Sequence, residues 1–330
     1  MSILVCGGAG YIGSHNVRLL QSRGEEPVVL DNLRTGHRAA VPAGVPLYVG
    51  DMRDPAQLDA IFARHTIEAV LHFAAWSLVG ESVEQPLPYF NNNIHGMQVL
   101  LEAMLRHGVD KIVFSSSAAV YGEPASVPIP EDTPLEPTNP YGESKHVMER
   151  MTHWAGRAHG IRAVVLRYFN VAGAWPDGSM GEDHRPESHL VPLILQVPLG
   201  LRPHITVFGD DYPTPDGTCI RDYLDVLELA DAHCRALHYL RAGGASVVCN
   251  LGNGRGFSVR EMIDAARLVT GKDIPIEIGP RRPGDPARLV AAPERARQVL
   301  GWTAHAPLES IIATAWAWHQ SHPHGYEEDS

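Results

Sequence analysis

Tyr141 and Lys145 have the residue types and the spacing for proton transfer. They stand four apart in a segment, 139–159, that reads as a helix opened by Asn139-Pro140, so both face one side of it. A tyrosine is a poor base at its ordinary pKa of about 10. A nearby ammonium favours the phenolate and makes Tyr141 a general base at neutral pH. Ser117, just past the C-terminal end of the apolar strand 111–115, is the natural third member, its hydroxyl donating a hydrogen bond to a substrate hydroxyl. Taken singly, a Tyr-x-x-x-Lys pair also describes two solvent-facing residues, and Ser117 also reads as a turn serine.

The N-terminus supplies a second kind of chemistry. A short apolar run, residues 3–6, passes into Gly7-Gly8-Ala9-Gly10-Tyr11-Ile12-Gly13-Ser14 and then into an amphipathic segment ending near Arg23. The glycines satisfy both Gly-x-x-Gly-x-x-Gly (7, 10, 13) and Gly-x-Gly-x-x-Gly (8, 10, 13). That pattern gives a tight turn, room for a pyrophosphate against bare backbone, and close packing of helix on strand. The helix N-terminus then turns free N–H groups and a partial positive charge towards the phosphates. A second strand, 27–31, ends in Asp31, 18 residues past Gly13. A carboxylate there accepts hydrogen bonds from the adenine ribose hydroxyls and repels a 2′-phosphate, which favours NAD over NADP. The positive nicotinamide ring adds to the pull of Lys145 on the Tyr141 proton.

The intervening elements must position these groups. A third strand, 46–51, ends at Asp51-Met52; a helix covers 55–65; and strand 68–73 runs through Phe73 into Ala74-Ala75. A long helical pattern spans 85–107, and Asn91-Asn92-Asn93 near its start want a polar partner if they are buried. Strand 111–115 leads through Ser115 to Ser117, and strand 162–168 ends at Tyr168. Repeated strand–helix units imply an α/β fold with a parallel, doubly wound sheet of the Rossmann kind. From Asn170 onward the pattern changes. A loop at 172–187, rich in Gly, Pro and Asp, is followed by short strands (205–208, 247–251, 274–278) among helical stretches at 189–199, 225–241, 258–270 and 307–319. The expected division is an NAD-binding domain over 1–175, with a returning segment near 224–252, and a smaller α/β substrate-binding lobe over most of 176–330. The polar tail 322–330 reads as frayed.

Composition excludes several classes. The 330 residues carry a formal net charge of -11 with no basic run, which argues against a nucleic-acid surface. No apolar stretch is long enough to span a bilayer. The 4 cysteines are scattered without a Cys-x-x-Cys pair, so neither a disulfide framework nor a thiolate zinc site is indicated. The 18 histidines include no His-x-x-x-His pair, and no metal is expected. The chain reads as cytoplasmic, with reduced thiols.

Several segments go beyond the generic pattern: the glycine loop continued to His15, Asp31-Asn32-Leu33, Phe73-Ala74-Ala75, Val79-Gly80-Glu81-Ser82, Ser115 through Gly122, Asn139-Pro140-Tyr141-Gly142-Glu143-Ser144-Lys145 and Arg167-Tyr168-Phe169-Asn170. Together they resemble the extended short-chain dehydrogenase/reductases. With the segments 208–223 and 281–285 the chain is similar, over essentially its whole length, to the UDP-glucose (UDP-galactose) 4-epimerase family. The resemblance implies an isomerase of galactose metabolism that inverts C4 of the sugar, interconverting UDP-glucose and UDP-galactose through a transient 4-keto intermediate and tightly bound NAD. It implies contacts to NAD from Gly7, Gly10, Tyr11, Ile12, Gly13, Asp31, Asn32, Asp51, Met52, Phe73, Ala74, Ala75, Asn93, Ser115, Tyr141, Lys145 and Tyr168. On the UDP-sugar it implies Ser117, Tyr141, Asn170, Leu190, Phe208, Arg221, Arg282 and Asp285.

The resemblance also implies that Leu289 lines the sugar cavity, and that the helices 85–107 and 139–159 form a homodimer interface. His189 stands where other members have an asparagine beside the diphosphate, and Ser77 where some have a lysine on the cofactor phosphate. Another UDP-sugar as substrate (N-acetylhexosamine, pentose or uronate) stays open. Elimination of water, as in the related 4,6-dehydratases, is disfavoured, because Ala118 and Ala119 occupy the positions of the carboxylate pair that chemistry needs.

Overall fold

A computed structural model describes residues 1–282 and 285–327. Its centre follows from strands with apolar residues on both faces. The first strand, β1 (Ser2–Cys6), is buried throughout. Ile3 and Val5 enter one core, while Leu4 and Cys6 enter the other, as the two-residue side-chain period of a strand requires. Only a sheet covered on both sides accommodates such a run. Six further strands join β1: β2 (Glu26–Asp31), β3 (Leu47–Val49), β4 (Ile67–His72), β5 (Lys111–Ser117), β6 (Arg162–Tyr168) and, after a shorter β7 (Asn170–Ala172), a returning strand Val247–Leu251. The order across the sheet is Val247–Leu251, β6, β5, β4, β1, β2, β3, with every pair parallel. The strand order reverses between β1 and β4, which opens a crevice at their C-terminal ends. The doubly wound α/β fold read from the sequence is therefore the observed one.

Helix α1 (Tyr11–Ser22) covers one face of the sheet, together with residues 226–241, while α2 (Pro55–Arg64) covers the other. The pattern at 85–107 is not one α-helix. After α3 (Val79–Glu84), which sequence reading did not resolve, come α4 (Pro86–Tyr89), a π-helical turn over Phe90–His95, and α5 (Gly96–Arg106). The asparagines, weak helix formers, occupy the widened turn, and Asn93 is swung inward and fully buried. Helix α6 (Pro140–His159) begins as expected: Asn139 accepts the Gly142 N–H at 2.9 Å, and Pro140 sits in the first turn.

The smaller lobe is built from α7 (Leu190–Gln196) and short strands β8 (Ile205–Phe208), β9 (Ile220–Arg221) and β10 (Tyr223–Asp225), followed by α8 (Val226–Arg241) and the returning strand, β11. Then come β12 (Phe257–Ser258), α9 (Val259–Thr270), β13 (Ile276–Gly279), β14 (Arg288–Leu289), α10 (Glu294–Leu300) and α11 (Leu308–Ser321). Ile194, Met262, Ile263 and Ile312 are at its core. The tail departs from expectation where it is described. Tyr326 is buried, its ring 4.6 Å from that of Trp318, and the Gly181 N–H donates to its hydroxyl at 3.2 Å. The remainder of the expected frayed segment, 328–330, lies outside the described residues.

One polar group lies deep between α6 and the sheet. Arg167 of β6 donates to both oxygens of Glu149, through Nε at 2.9 Å and Nη2 at 2.6 Å, and to the Tyr121 hydroxyl at 2.8 Å. Both charges are almost wholly buried, at 5% and 7% exposure. Removing one partner of such a pair strands the other, at a cost of about 3–5 kcal/mol. Glu149→Ala should lose that much in urea denaturation, and the double variant Glu149→Leu/Arg167→Met should recover most of it. A single variant as stable as wild type would show the pair to be dispensable.

Candidate active site

The glycine loop fits its expected role through contacts that leave no room for side chains. Gly7 has φ +79°, and a Cβ there would lie 2.6 Å from the Ala74 nitrogen. A Cβ on Gly13 would lie 2.0 Å from the Gly7 carbonyl oxygen, so α1 rests directly on the loop. No side chain caps the first turn of α1 and no acidic residue lies in it, which leaves its positive end for an anion. Asp31 accepts the Ala9 N–H and the Leu33 N–H, one on each carboxylate oxygen, both at 2.9 Å. Burial pushes its pKa up, and these backbone N–H groups oppose the rise. Asn32 is exposed beside it. Asp51 is gripped by Arg53, whose guanidinium holds the carboxyl below its ordinary pKa, and Met52 is buried next to it. Tyr11 reaches across to donate to the Gly173 carbonyl at 2.7 Å, with Ile12 behind it against the core. At the end of β4, the N–H groups of Phe73 and Ala74 both donate to Cys6 O, at 2.8 and 3.0 Å, which draws Ala74-Ala75 up to the loop.

The proposed catalytic groups meet at the end of β5. Lys145 is buried and donates to the Ser115 carbonyl at 2.8 Å. Ser115 Oγ bonds to His233 Nε2 at 2.7 Å, and burial pushes the pKa of the nearby Tyr168 phenol up. Ser117 caps the following turn by accepting the Ala119 N–H at 3.1 Å, and its hydroxyl is near enough to the Tyr141 phenol to pull the phenol's pKa down. The arrangement modifies one expectation. The Lys145 ammonium stands 5.9 Å from the Tyr141 ring and is committed to a carbonyl. What opposes the upward push of burial on Tyr141 is the Ser117 hydroxyl. Burial also lowers Lys145 to about 7, with Glu149 pulling the other way. A tyrosinate at neutral pH therefore draws on a further positive charge, such as the nicotinamide ring expected of the cofactor.

Asn93, expected on the cofactor side, is held by the protein through its whole amide. Its oxygen accepts the Trp76 N–H at 2.9 Å and the Asn92 amide, and its amide donates to Trp76 O at 3.1 Å and Ser144 Oγ at 2.9 Å. Its hydrogen-bonding capacity is spent on the protein, so it positions the 74–76 loop against α6. Ser82, quoted in a motif but given no role, accepts the Tyr141 N–H at 3.3 Å from a fully buried site. His233 was missed outright, and Ser144, quoted in a motif like Ser82, was given no role, since nothing local marks a residue that acts through a partner about a hundred or about fifty positions away.

On the substrate side, β14 pairs with β9 in a register that sets Leu289 opposite Arg221. Leu289 also packs on the cluster containing Ala118 and Tyr121, beside Ser117. Arg221 is ion-paired with Asp285, and the Arg282 guanidinium lies 4.1 Å above the Phe208 ring. Asn170 pairs with Tyr223 between β7 and β10, and Leu190 is the first residue of α7. Pro283 and Gly284 of the quoted 281–285 segment lie outside the described residues. His189 Nδ1 lies 2.5 Å from Glu182 Oε1.

The sequence matches the profile of the NAD dependent epimerase/dehydratase family over residues 3–252, and the chain belongs to that family. NAD is accordingly its cofactor. Its relatives are more specific. The UDP-glucose 4-epimerase of Halalkalibacterium halodurans is 56% identical over 331 residues, covering 100% of this chain and 99% of the relative. A crystal structure of a UDP-glucose 4-epimerase superposes with TM-score 0.98 at 55% identity, covering 99% of this chain and 100% of that one. The Brucella ovis UDP-glucose 4-epimerase in complex with NAD gives TM-score 0.93 at 45% identity, covering 96% and 97%.

The depressed Lys145 carries a stability signature. Between about 7 and the ordinary 10.5, the unfolded chain binds a proton at this lysine that the cofactor-free folded chain does not. Folding then becomes more favourable as pH rises through that window, by about 1.4 kcal/mol per pH unit. Lys145→Met should remove that slope. Equal slopes in wild type and variant, by urea denaturation across pH 7 to 10.5, would mean that Lys145 titrates normally.

Proposed function

We propose that the chain interconverts UDP-glucose and UDP-galactose by inverting C4 of the sugar through a transient 4-keto sugar. The observation that carries this reading is the convergence of Ser117, Tyr141 and the buried Lys145 where β5 meets α6, with Lys145 donating to the Ser115 carbonyl at 2.8 Å and standing 5.9 Å from the Tyr141 ring. NAD held there would supply the hydride acceptor and donor for the carbon being inverted. Tyr141 removes the proton of the 4-hydroxyl and later returns it, while Ser117 orients that hydroxyl. Lys145 holds the end of β5 through Ser115 and stands 5.9 Å from the Tyr141 ring.

Gly7, Gly10, Gly13, Tyr11 and Ile12 would cradle the cofactor pyrophosphate, and Asp31 with Asn32 would take its ribose. Asp51, Met52, Phe73, Ala74, Ala75, Ser115 and Tyr168 would line the rest of its site. Arg221 and Arg282 offer the forked donors suited to a diphosphate. Asp285 offers an acceptor for a ribose diol, and Asn170, Leu190 and Phe208 complete the nucleotide-sugar side. Residues 1–175 with 224–252 would form the NAD unit, and most of 176–330 the sugar unit. Ala118 and Ala119 cannot move protons, which separates this site from a dehydratase.

Cytoplasmic galactose metabolism is the setting this reading implies. No helix among the described residues is long and apolar enough to cross a membrane. A homodimer through segments 85–107 and 139–159 is supported by exposed apolar side chains on them, Leu87 and Trp154 at 75% and 58%, with exposed Val83 of α3 at 61% just before the first.

Tyr141→Phe should reduce interconversion of the two sugars by about 10²–10⁴-fold, the usual contribution of a positioned general base. Turnover at the wild-type rate, or accumulation of a 4-keto-6-deoxy sugar by the unmodified enzyme, would refute the mechanism. Leucine at 289 is of intermediate bulk, so the enzyme should strongly prefer UDP-hexoses and turn over UDP-N-acetylglucosamine weakly. Leu289→Tyr should lower the second activity relative to the first. An unchanged ratio in a side-by-side assay would move the specificity gate away from Leu289.

A further inference from the structure

The loop before α7 carries two Glu-x-His pairs, Glu182/His184 and Glu187/His189, which the mechanism above does not use. The fold closes them on one another, and one ligand atom from each of the four lies within 4.8 Å of the others. His189 Nδ1 is 2.5 Å and His184 Nδ1 3.2 Å from the same oxygen, Glu182 Oε1. The Glu187 carboxylate completes the group, at 3.8 Å from His184 Nδ1 and 3.9 Å from His189 Nδ1. Two features distinguish this from an ordinary surface network. His184 Nδ1 is sealed from solvent, yet it forms no well-directed hydrogen bond, although an acceptor is close. Two carboxylates, with side chains only 4% and 10% exposed, converge where burial makes an uncompensated charge expensive.

We propose that Glu182, His184, Glu187 and His189 bind one divalent metal ion, zinc by the nature of the donors, in a closed four-ligand site. Imidazole nitrogens with carboxylate oxygens and no thiolate form a set that zinc accepts in tetrahedral geometry, with bonds of about 2.0–2.2 Å. Four protein ligands leave no open position for a reacting group, so the ion is structural. Its place explains what it would hold. His189 is the residue from which α7 starts, and the Glu182 carbonyl accepts the Trp318 indole N–H at 3.0 Å. The His184 ring stands edge-on to that of Tyr11, with centroids 6.3 Å apart. The ion would pin a Gly-, Pro- and Asp-rich loop to α7 and α11 beside the glycine loop of the cofactor site. Sequence spacing hid it, because the pairs sit in an extended loop and not at the four-residue interval of a helix. This inference is independent of which sugar the enzyme takes.

The test uses the full-length protein with its NAD, dialysed against a chelator, passed through gel filtration and then titrated with zinc sulfate. Elemental analysis should find about one zinc ion per chain, and Tm should rise with added zinc. Cobalt(II) in place of zinc should give the intense visible bands of four-coordinate cobalt. Glu187→Gln and His184→Asn should each weaken zinc binding by at least about 10-fold, a loss that even second-sphere changes produce at metal sites. His204→Asn, which alters an exposed histidine paired with Glu277, should bind as wild type does. Wild-type protein that retains no zinc and shows no shift in Tm would overturn the proposal, as would the pale spectrum of six-coordinate cobalt. Variants that bind zinc as tightly as wild type would also overturn it. The cobalt spectrum of the wild type decides the matter even if a variant fails to fold.

Discussion

The hydrogen bond from the Lys145 ammonium to the Ser115 carbonyl joins helix α6 to the tip of strand β5, and the rest of the site is assembled around it. A primary ammonium in a dry interior survives only if its donors are met and its charge is balanced nearby. Glu149, one turn further along α6, supplies the balance and is in turn committed to Arg167 of β6. Residues 141, 145 and 149 thus form a polar stripe on a helix face that would otherwise be apolar, and the sheet answers it with Ser115, Ser116, Ser117 and Arg167. The register between helix and strand is fixed by polar matching as well as by volume. That fixity brings Ser117 of β5 and Tyr141 of α6 to one end of the sheet without a loop to hold them.

A buried polar seam of this kind is costly wherever it is incomplete, and the surrounding elements complete it. His233, from the opposite face of the sheet, closes the hydrogen bonding of Ser115, and burial keeps its ring neutral, with a pKa lowered to about 4. Tyr121 links Arg167 to Asn250 at 2.7 Å, so the returning strand β11 is tied into the same network. The catalytic stripe and the last strand of the sheet therefore depend on one another through a chain of short bonds, although they are far apart in sequence.

How much of this could be read from the residues depended on range. The glycine loop, Asp31 at the end of β2, the α6 motif and the parallel sheet are written in local periods and short spacings, and the structure returns them nearly unchanged. The two-residue strands β9, β12 and β14 exist only because distant backbones meet, and no local pattern announces them. Tyr326 looked like part of a loose tail because nothing near it in sequence is apolar. Its partner, Trp318, lies eight residues back, in α11. Asn93 was singled out as needing a partner, and the structure supplies its partners from the protein. A buried amide says that hydrogen bonds exist, not whether they go to a ligand or to the protein.

The π turn at Phe90–His95 has a consequence for how this chain tolerates change in length. An α-helix advances about 100° per residue, so a helix holding one residue too many keeps its two halves in a fixed angular offset. Deleting one of the three asparagines would relax the turn to ordinary geometry and improve the local backbone. It would also rotate one half against the other. Either Met97, Leu100 and Met104 would leave the core beneath the sheet, or Tyr89 would leave its pocket under Trp76. The irregularity acts as a phase lock: substitution within it can be absorbed, whereas the number of residues cannot vary.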